Sequence, residues 1–267
     1  MLGRYDRAMR ARQPVGGQTL LARAIAAISR NNGTLFYVPG NFAGAWTDSA
    51  GTDPVNEVAD VIGRMTDRTG GSAVATQTTT ANKPTVQTNA QGRYVMRFDG
   101  SSNSLTTNIT TGNEGWVCAG VTFGGADSAT ETVFHSGAQV PAKRGVWIAR
   151  VGSISTNTLW CGVSGGVARR DAAEQTAIAL KSGQVVVEAG WTAANVFASV
   201  NGVQGTTVTR SGDATPPSNL ATIGAITAGG SYLNGPMTAQ VICPVLPSAA
   251  DRAIIRKWIG SLQGQTL

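Results

Sequence analysis

The feature that most constrains this chain is a two-residue alternation of apolar and polar side chains, in short runs cut off by glycine, asparagine and serine. Tyr94, Met96 and Phe98 alternate with Val95, Arg97 and Asp99, so this stretch reads as a strand with one face in a core. Asp99-Gly100 ends it, Ser101–Ser104 reads as a polar turn, and Leu105 returns to the core. Pro84, in Ala81-Asn82-Lys83-Pro84-Thr85, forces an extended approach upstream. The same pattern recurs at 116–123, 132–136, 145–151, 158–163, 184–191, 195–200, 203–208, 219–225 and 236–243. Asn201-Gly202 between two of these runs is a hairpin signal. Short strands at regular spacing predict an all-β, two-sheet antiparallel sandwich. Alternation predicts Tyr94, Phe98, Val121, Val185 and Val187 in the inter-sheet core.

The 267 residues suit one large β domain, and the low charged fraction (13%) with 34 glycines fits many turns. Residues 39–70 are weakly periodic and read as loops with one or two short strands. A helix is predicted over residues 248–263, with Ser248 and Asp251 at its start and Ile254, Ile255, Trp258, Ile259 and Leu262 on one face.

Charge is uneven. Residues 1–30 hold six arginines against Asp6, which leaves the remainder of the chain near neutral. Arg4, Arg7, Arg10 and Arg12 lie on a segment with no apolar pattern. Leu20, Leu21, Ala24, Ile25 and Ile28 then fall at helical spacing behind Thr19 as N-cap. We read residues 1–34 as a basic arm and amphipathic helix, and 35–267 as the sandwich with its closing helix. The apolar face of the first helix has two readings: an anchor on a partner, or a surface packed on its own domain. With the arm, Leu20, Leu21, Ile25 and Ile28 are the anchor candidates. The arm lacks the aromatic interleaving of a nucleic-acid surface, so docking on an acidic protein is the expected role. No signal-peptide pattern or apolar run long enough for a membrane is read in the sequence. Cys118, Cys161 and Cys243 sit in strand-like runs without metal spacing and read as buried thiols, consistent with assembly in a reducing cytoplasm.

Several phrases carry a resemblance, in order along the chain. They are Ala45-Trp46-Thr47-Asp48, Gly51-Thr52-Asp53-Pro54-Val55, Val61–Gly70, Ala81–Thr85, Arg97-Phe98-Asp99-Gly100 with Leu105, and the closing helix with Trp258. Over roughly residues 35–265 the chain resembles the concanavalin A-like (laminin-G-like) jelly-roll modules of tailed-bacteriophage structural proteins. The resemblance implies a jelly roll and a virion setting, as an accessory surface component of tail, neck or head. It also implies partners among other virion proteins, a multi-copy or homo-oligomeric assembly, and glycan binding for host attachment as the alternative role.

Catalysis is not expected. Glucan hydrolases of this fold place two carboxylates two or four residues apart on one strand, and no strand here does. Glu188 is a lone acid in an apolar strand and Glu131 stands at a strand entrance. His135, the one histidine, has no nucleophile–acid setting and reads as structural. For Ca²⁺, Asp48, Asp53, Asp67 and Asp99 are candidates, Asp48 and Asp99 first, although aspartates also populate turns for local reasons. For glycan binding, a sugar would stack on an exposed aromatic beside amides. Tyr232 and Asn234, in the loop Gly229–Gly235, fit this best, while most of the six tryptophans read as core.

Overall fold

The computed structural model describes residues 19–137, 145–152, 158–164, 171–175, 180, 183–210, 220–226 and 230–267. The basic arm lies outside the described residues. The elements run as helix α1 (Leu20–Arg30), then strands β1 (Thr34–Tyr37), β2 (Ala45–Trp46), β3 (Arg64–Thr66), β4 (Val74–Thr76), β5 (Thr85–Thr88), β6 (Tyr94–Asp99), β7 (Leu105–Thr110) and β8 (Gly115–Thr122). They continue as β9 (Thr130–Ser136), β10 (Gly145–Val151), β11 (Leu159–Ser164), β12 (Asp171–Gln175), β13 (Gln184–Trp191), β14 (Asn195–Val200), β15 (Val203–Thr209), β16 (Leu220–Ile223), β17 (Asn234–Cys243) and helix α2 (Ala249–Leu262).

Two antiparallel sheets face each other as a jelly-roll sandwich. One has the order β15-β14-β13-β8-β17-β6-β5, with β1 also on β17; the other runs β12-β11-β10-β9-β16-β7-β4-β3-β2. The expected alternation holds in the core, where Phe98, Val121, Val185 and Val187 are buried. Tyr94 departs from it. It is half-buried at the start of β6 and stacks on Phe42 with ring centroids 4.4 Å apart. Asn201 (φ 50°) and Gly202 (φ 83°) both take left-handed backbone, which a two-residue hairpin needs to match strand twist, and they join β14 to β15. Residues 39–70 contain β2 and β3, as read from the sequence.

The helices form a third layer on the outer face of the first sheet. Thr19 Oγ1 caps α1 by accepting from Ala22 N–H at 3.0 Å. Ala24, Ala27 and Ile28 are buried against Trp116, Cys118, Val241 and the buried face of α2. The apolar stripe thus packs on its own domain, one of the two readings that the sequence leaves open. Ile28 is fully buried, and Leu20, Leu21 and Ile25 are half-buried against the same cluster, so the chain's own sandwich covers them. At the junction Arg30 pairs with Asp251 at 2.5 Å, and Asn31 Nδ2 donates to Asp251 Oδ2. The three thiols are buried and unbridged, and burial pushes Cys243 up to about 12.

Gln240 breaks the apolar rule. It is fully buried on β17 between Phe36 and Ala119, two residues of the inter-sheet core, and neither side-chain amide atom has a partner in the structure. A buried amide left unpaired costs about 1–3 kcal/mol. Gln240→Met, of similar length, is expected to raise the urea midpoint by a stability gain of that order. An unchanged or lower midpoint would show that the amide is satisfied.

Candidate functional site

Three turns meet at one end of the sandwich, on the linkage between β16 and β17. Strand β6 stops at Asp99 because its carboxylate turns the chain. Oδ1 accepts from the N–H groups of Ser101, Ser102 and Asn103, each at 2.9 Å. Oδ2 accepts from the hydroxyls of Ser101 (2.7 Å) and Ser102 (2.8 Å). Partial burial works to raise the Asp99 pKa, but these donors outweigh it and hold the carboxyl well below the usual range. Gly100 (φ 79°) is needed here, since a Cβ would come within 2.6 Å of Asn234 Cβ.

Residues 231–234 wedge between this turn and the loop after β8. Gly100 N–H donates to Leu233 O (2.9 Å), Gly124 N–H to Asn234 O (2.6 Å) and Thr132 N–H to Ser231 O (2.9 Å). Asn234 is therefore not a free loop amide. It is the first residue of β17, opposite Asp99, and its Oδ1 accepts from Arg97 Nη2 at 3.0 Å. Tyr232 stands in the non-strand link just before it, half-buried. The structure thus brings both glycan candidates to one rim but commits Asn234 to holding it.

Beneath the rim lies a buried ion pair. Arg150 is fully buried and Glu131 is 1% exposed, with Arg150 Nη2 at 2.6 Å from Glu131 Oε2. Arg150 Nη2 also donates to Ala126 O (2.8 Å), and Glu131 Oε1 accepts from Gly125 N–H (3.1 Å) and Asn234 N–H (3.0 Å). The pair ties the 124–127 loop, β9, β10 and β17 into a rigid base. On the far side Ser104 N–H donates to Asn82 O and Lys83 Nζ to Thr47 O, which carries the rim to the 47–53 loop.

The same turn chemistry occupies the Ca²⁺ candidates. Asp48 accepts from Gly51, Thr52 and Asp53 N–H groups and from the Thr52 hydroxyl, which lowers its pKa to about 2. Asp67 accepts from Leu35, Thr69 and Gly71 N–H groups and from the Thr69 hydroxyl, and Asp53 accepts from the Thr47 hydroxyl. Carboxylates aimed at N–H and O–H donors present hydrogens where a cation would need lone pairs, so Asp48 and Asp99 are turn residues. Among the described residues no three His, Cys, Asp or Glu groups gather as a metal cluster. A shallow cleft of about 410 Å³ lies elsewhere, lined by Asn32, Thr34, Asp67, Thr69 and Ser72. It has no aromatic wall, and its one carboxylate is Asp67, already spent on its own loop.

The two glutamates do not form a hydrolytic pair. Glu131 is on β9 of one sheet and Glu188 on β13 of the other, each held by an arginine. Glu188 is 1% exposed, and Arg256 of α2 reaches it at 2.6 Å. Burial pushes the Glu188 pKa up, and the Arg256 charge and hydrogen bond pull against that. A folded-state pKa above the unfolded one means stability is complete below the unfolded pKa and is lost as pH rises through the folded pKa. Arg256→Met removes the opposing cation and raises that pKa further. The variant is expected to match the parent most nearly in acid and fall behind as pH rises past the usual glutamate range, read by thermal melts across pH. A pH-independent deficit would contradict this.

The sequence missed other features. Trp147 and Trp160 are not in the inter-sheet core: their neighbours Val146, Ile148, Leu159 and Cys161 take that face, and the two rings meet edge to face at 5.1 Å on the other. Trp147 Nε1 donates to Thr132 Oγ1. Strand parity within β10 and β11 carries this signal. His135 is 4% exposed on β9, opposite Trp147 and Thr222, in keeping with a structural role.

No protein-family model matches the chain, and no curated protein does. Solved structures do. An arabinofuranosidase complexed with arabinofuranosyl-α-1,2-xylobiose aligns at TM-score 0.61 and 13% identity, over 90% of this chain and 65% of that one. The botulinum neurotoxin serotype D ligand-binding domain in complex with N-acetylneuraminic acid aligns at TM-score 0.57 and 10% identity, over 88% of this chain. The receptor-binding domain of botulinum neurotoxin D aligns at TM-score 0.53 and 10% identity, over 75% of this chain. This chain spans about half the length of those toxin domains, 52% and 51%. At such identity the likeness is one of fold: the chain is a β-sandwich of the jelly-roll type that these proteins also contain.

Proposed function

We propose that this chain is a non-catalytic carbohydrate-binding module that works at a cell surface, displayed on a tailed-phage particle as an accessory component. The observation that supports the binding role most is the rim. Tyr232 is half-buried in the link that leads into β17, beside Asn234, whose backbone rests on the base fixed by Glu131–Arg150. Such a surface suits a neutral polyhydroxylated ligand, with a sugar face on the ring and sugar hydroxyls on the polar groups of the surrounding turns. The fold likeness to a domain complexed with N-acetylneuraminic acid agrees with this choice. The placement of Glu131 and Glu188 on different sheets supports binding without turnover. The virion setting rests on the ordered phrases from Trp46 to Trp258, and the arm with Arg4, Arg7, Arg10 and Arg12 would hold the module to its neighbours.

The test is a glycan array probed with the intact chain and with Tyr232→Ala. The parent is expected to bind a defined set of glycans. The variant is expected to lose about tenfold in affinity, the value of roughly 1.4 kcal/mol of lost stacking. Equal binding by the variant would remove Tyr232 from the site, and release of free sugar would contradict the non-catalytic reading.

A further inference from the structure

The helical layer is basic, and the loop at residues 48–60 is acidic. Arg23 and Arg30 on α1, with Arg252, Arg256 and Lys257 on α2, stand against Asp251 alone within the two helices. Residues 1–18 add four arginines and one aspartate. The rest of the chain is nearly balanced, with 12 basic and 13 acidic side chains. The excess charge therefore gathers on the arm and the helices. Arg23 and Lys257 are exposed and in no ion pair among the described residues, and Arg30 keeps 58% of its side chain exposed while paired to Asp251.

Residues 48–60 contain Asp48, Asp53, Glu57 and Asp60 and no lysine or arginine. None of the four is in an ion pair among the described residues. Asp53 and Glu57 are exposed, and Val58, at 44%, is one of the few exposed large apolar side chains beside them. The loop is held firmly. Ala59 takes a left-handed backbone (φ 78°), its N–H donates to Val86 O at 2.8 Å, and Val86 N–H returns to Asp60 O at 2.8 Å. A non-glycine residue in that region costs of order 1–3 kcal/mol, and here the β5 pairing maintains it. An apolar tip with acids around it, on a fixed stem, has the make-up of a contact surface.

We propose that these two surfaces meet between copies: the basic helical face of one molecule docks on the acidic 53–60 loop of a second molecule of this chain. Both halves of the complementarity are present on a single chain, which favours a second copy over a foreign partner. Nucleic acid fits less well, because Phe197 lies under Arg252 and Tyr37 packs on Trp258, so these rings are spent on packing and offer no base-stacking surface. The inference does not depend on glycan binding.

The experiment is sedimentation of the full chain at about 50 mM and about 500 mM salt, where the screening length falls severalfold. Self-association is expected at the lower salt and its loss at the higher. Arg23→Glu with Lys257→Glu should abolish it, as should Asp53→Lys with Glu57→Lys. All four positions are exposed, and unchanged thermal melts would show both variants folded. Mixing the two variants restores opposite charges at both contacts, so association should return in the mixture alone. A chain that stays monomeric at low salt, association indifferent to reversal, or a mixture that does not reassociate would each overturn the proposal. So would binding of duplex DNA by the helical face in preference to self-association.

Discussion

Arg150→Met is expected to lower the unfolding free energy by about 3–5 kcal/mol, a large share of the 5–15 kcal/mol a domain has. The variant leaves Glu131 1% exposed with its cation gone. Its Oε1 keeps the N–H donors of Gly125 and Asn234, but Oε2 loses the guanidinium. Ala126 O also loses its donor, so the loop above is expected to loosen with the strand below. Adding Glu131→Gln removes the stranded charge while Gln can still accept from both N–H groups, so the double variant should recover more than half of the loss. Urea unfolding of the three proteins decides it. A single variant within about 1 kcal/mol of the parent would mean that water reaches the pair and that it does not brace the rim.

Trp258→Ala is expected to cost about 3–5 kcal/mol, because a large side chain is removed from a packed site that cannot fully collapse. Trp258 is 3% exposed and meets Tyr37 edge to face, with centroids 5.4 Å apart. It joins α2 to β1 and to the cluster that contains Ile28 of α1. Ile28→Ala is expected to add its own loss of about 2–5 kcal/mol. If both changes were nearly neutral in thermal melts, the helices would be loosely attached, and the apolar stripe of α1 would be available to a partner after all.

The fold was legible because its signal is local. Alternation in β6, β8 and β13 and the Asn201-Gly202 turn are short-range patterns, and the sheets follow from them. Strand β12 was missed: Asp171-Ala172-Ala173-Glu174-Gln175 has little β-propensity, and its place is set by pairing with β11 and by the Thr206 hydroxyl on Glu174. The aspartates show the limit in another way. A ligand aspartate and a turn aspartate have the same one-letter context, and only the five donors around Asp99 separate them. Arg150 gave no sign of burial, because its partners come from β9 and from the loop at 126–127. The apolar stripe of α1 was read correctly as a stripe, but sequence could not say which surface covers it. The tie of Asn234 to Arg97 could not be read either, since it spans 137 residues.

The central claim is that a sugar binds at the end of the sandwich where residues 99–104, 124–132 and 231–234 converge. It is tested most directly by amide chemical-shift mapping of the 27.4 kDa chain, titrated with a glycan that scores on the array. The account predicts perturbations that cluster in those three segments and around Lys83, saturate with the ligand, and vanish in Tyr232→Ala. Perturbations confined to the Trp147–Trp160 face, or none at all with every glycan presented, would contradict it.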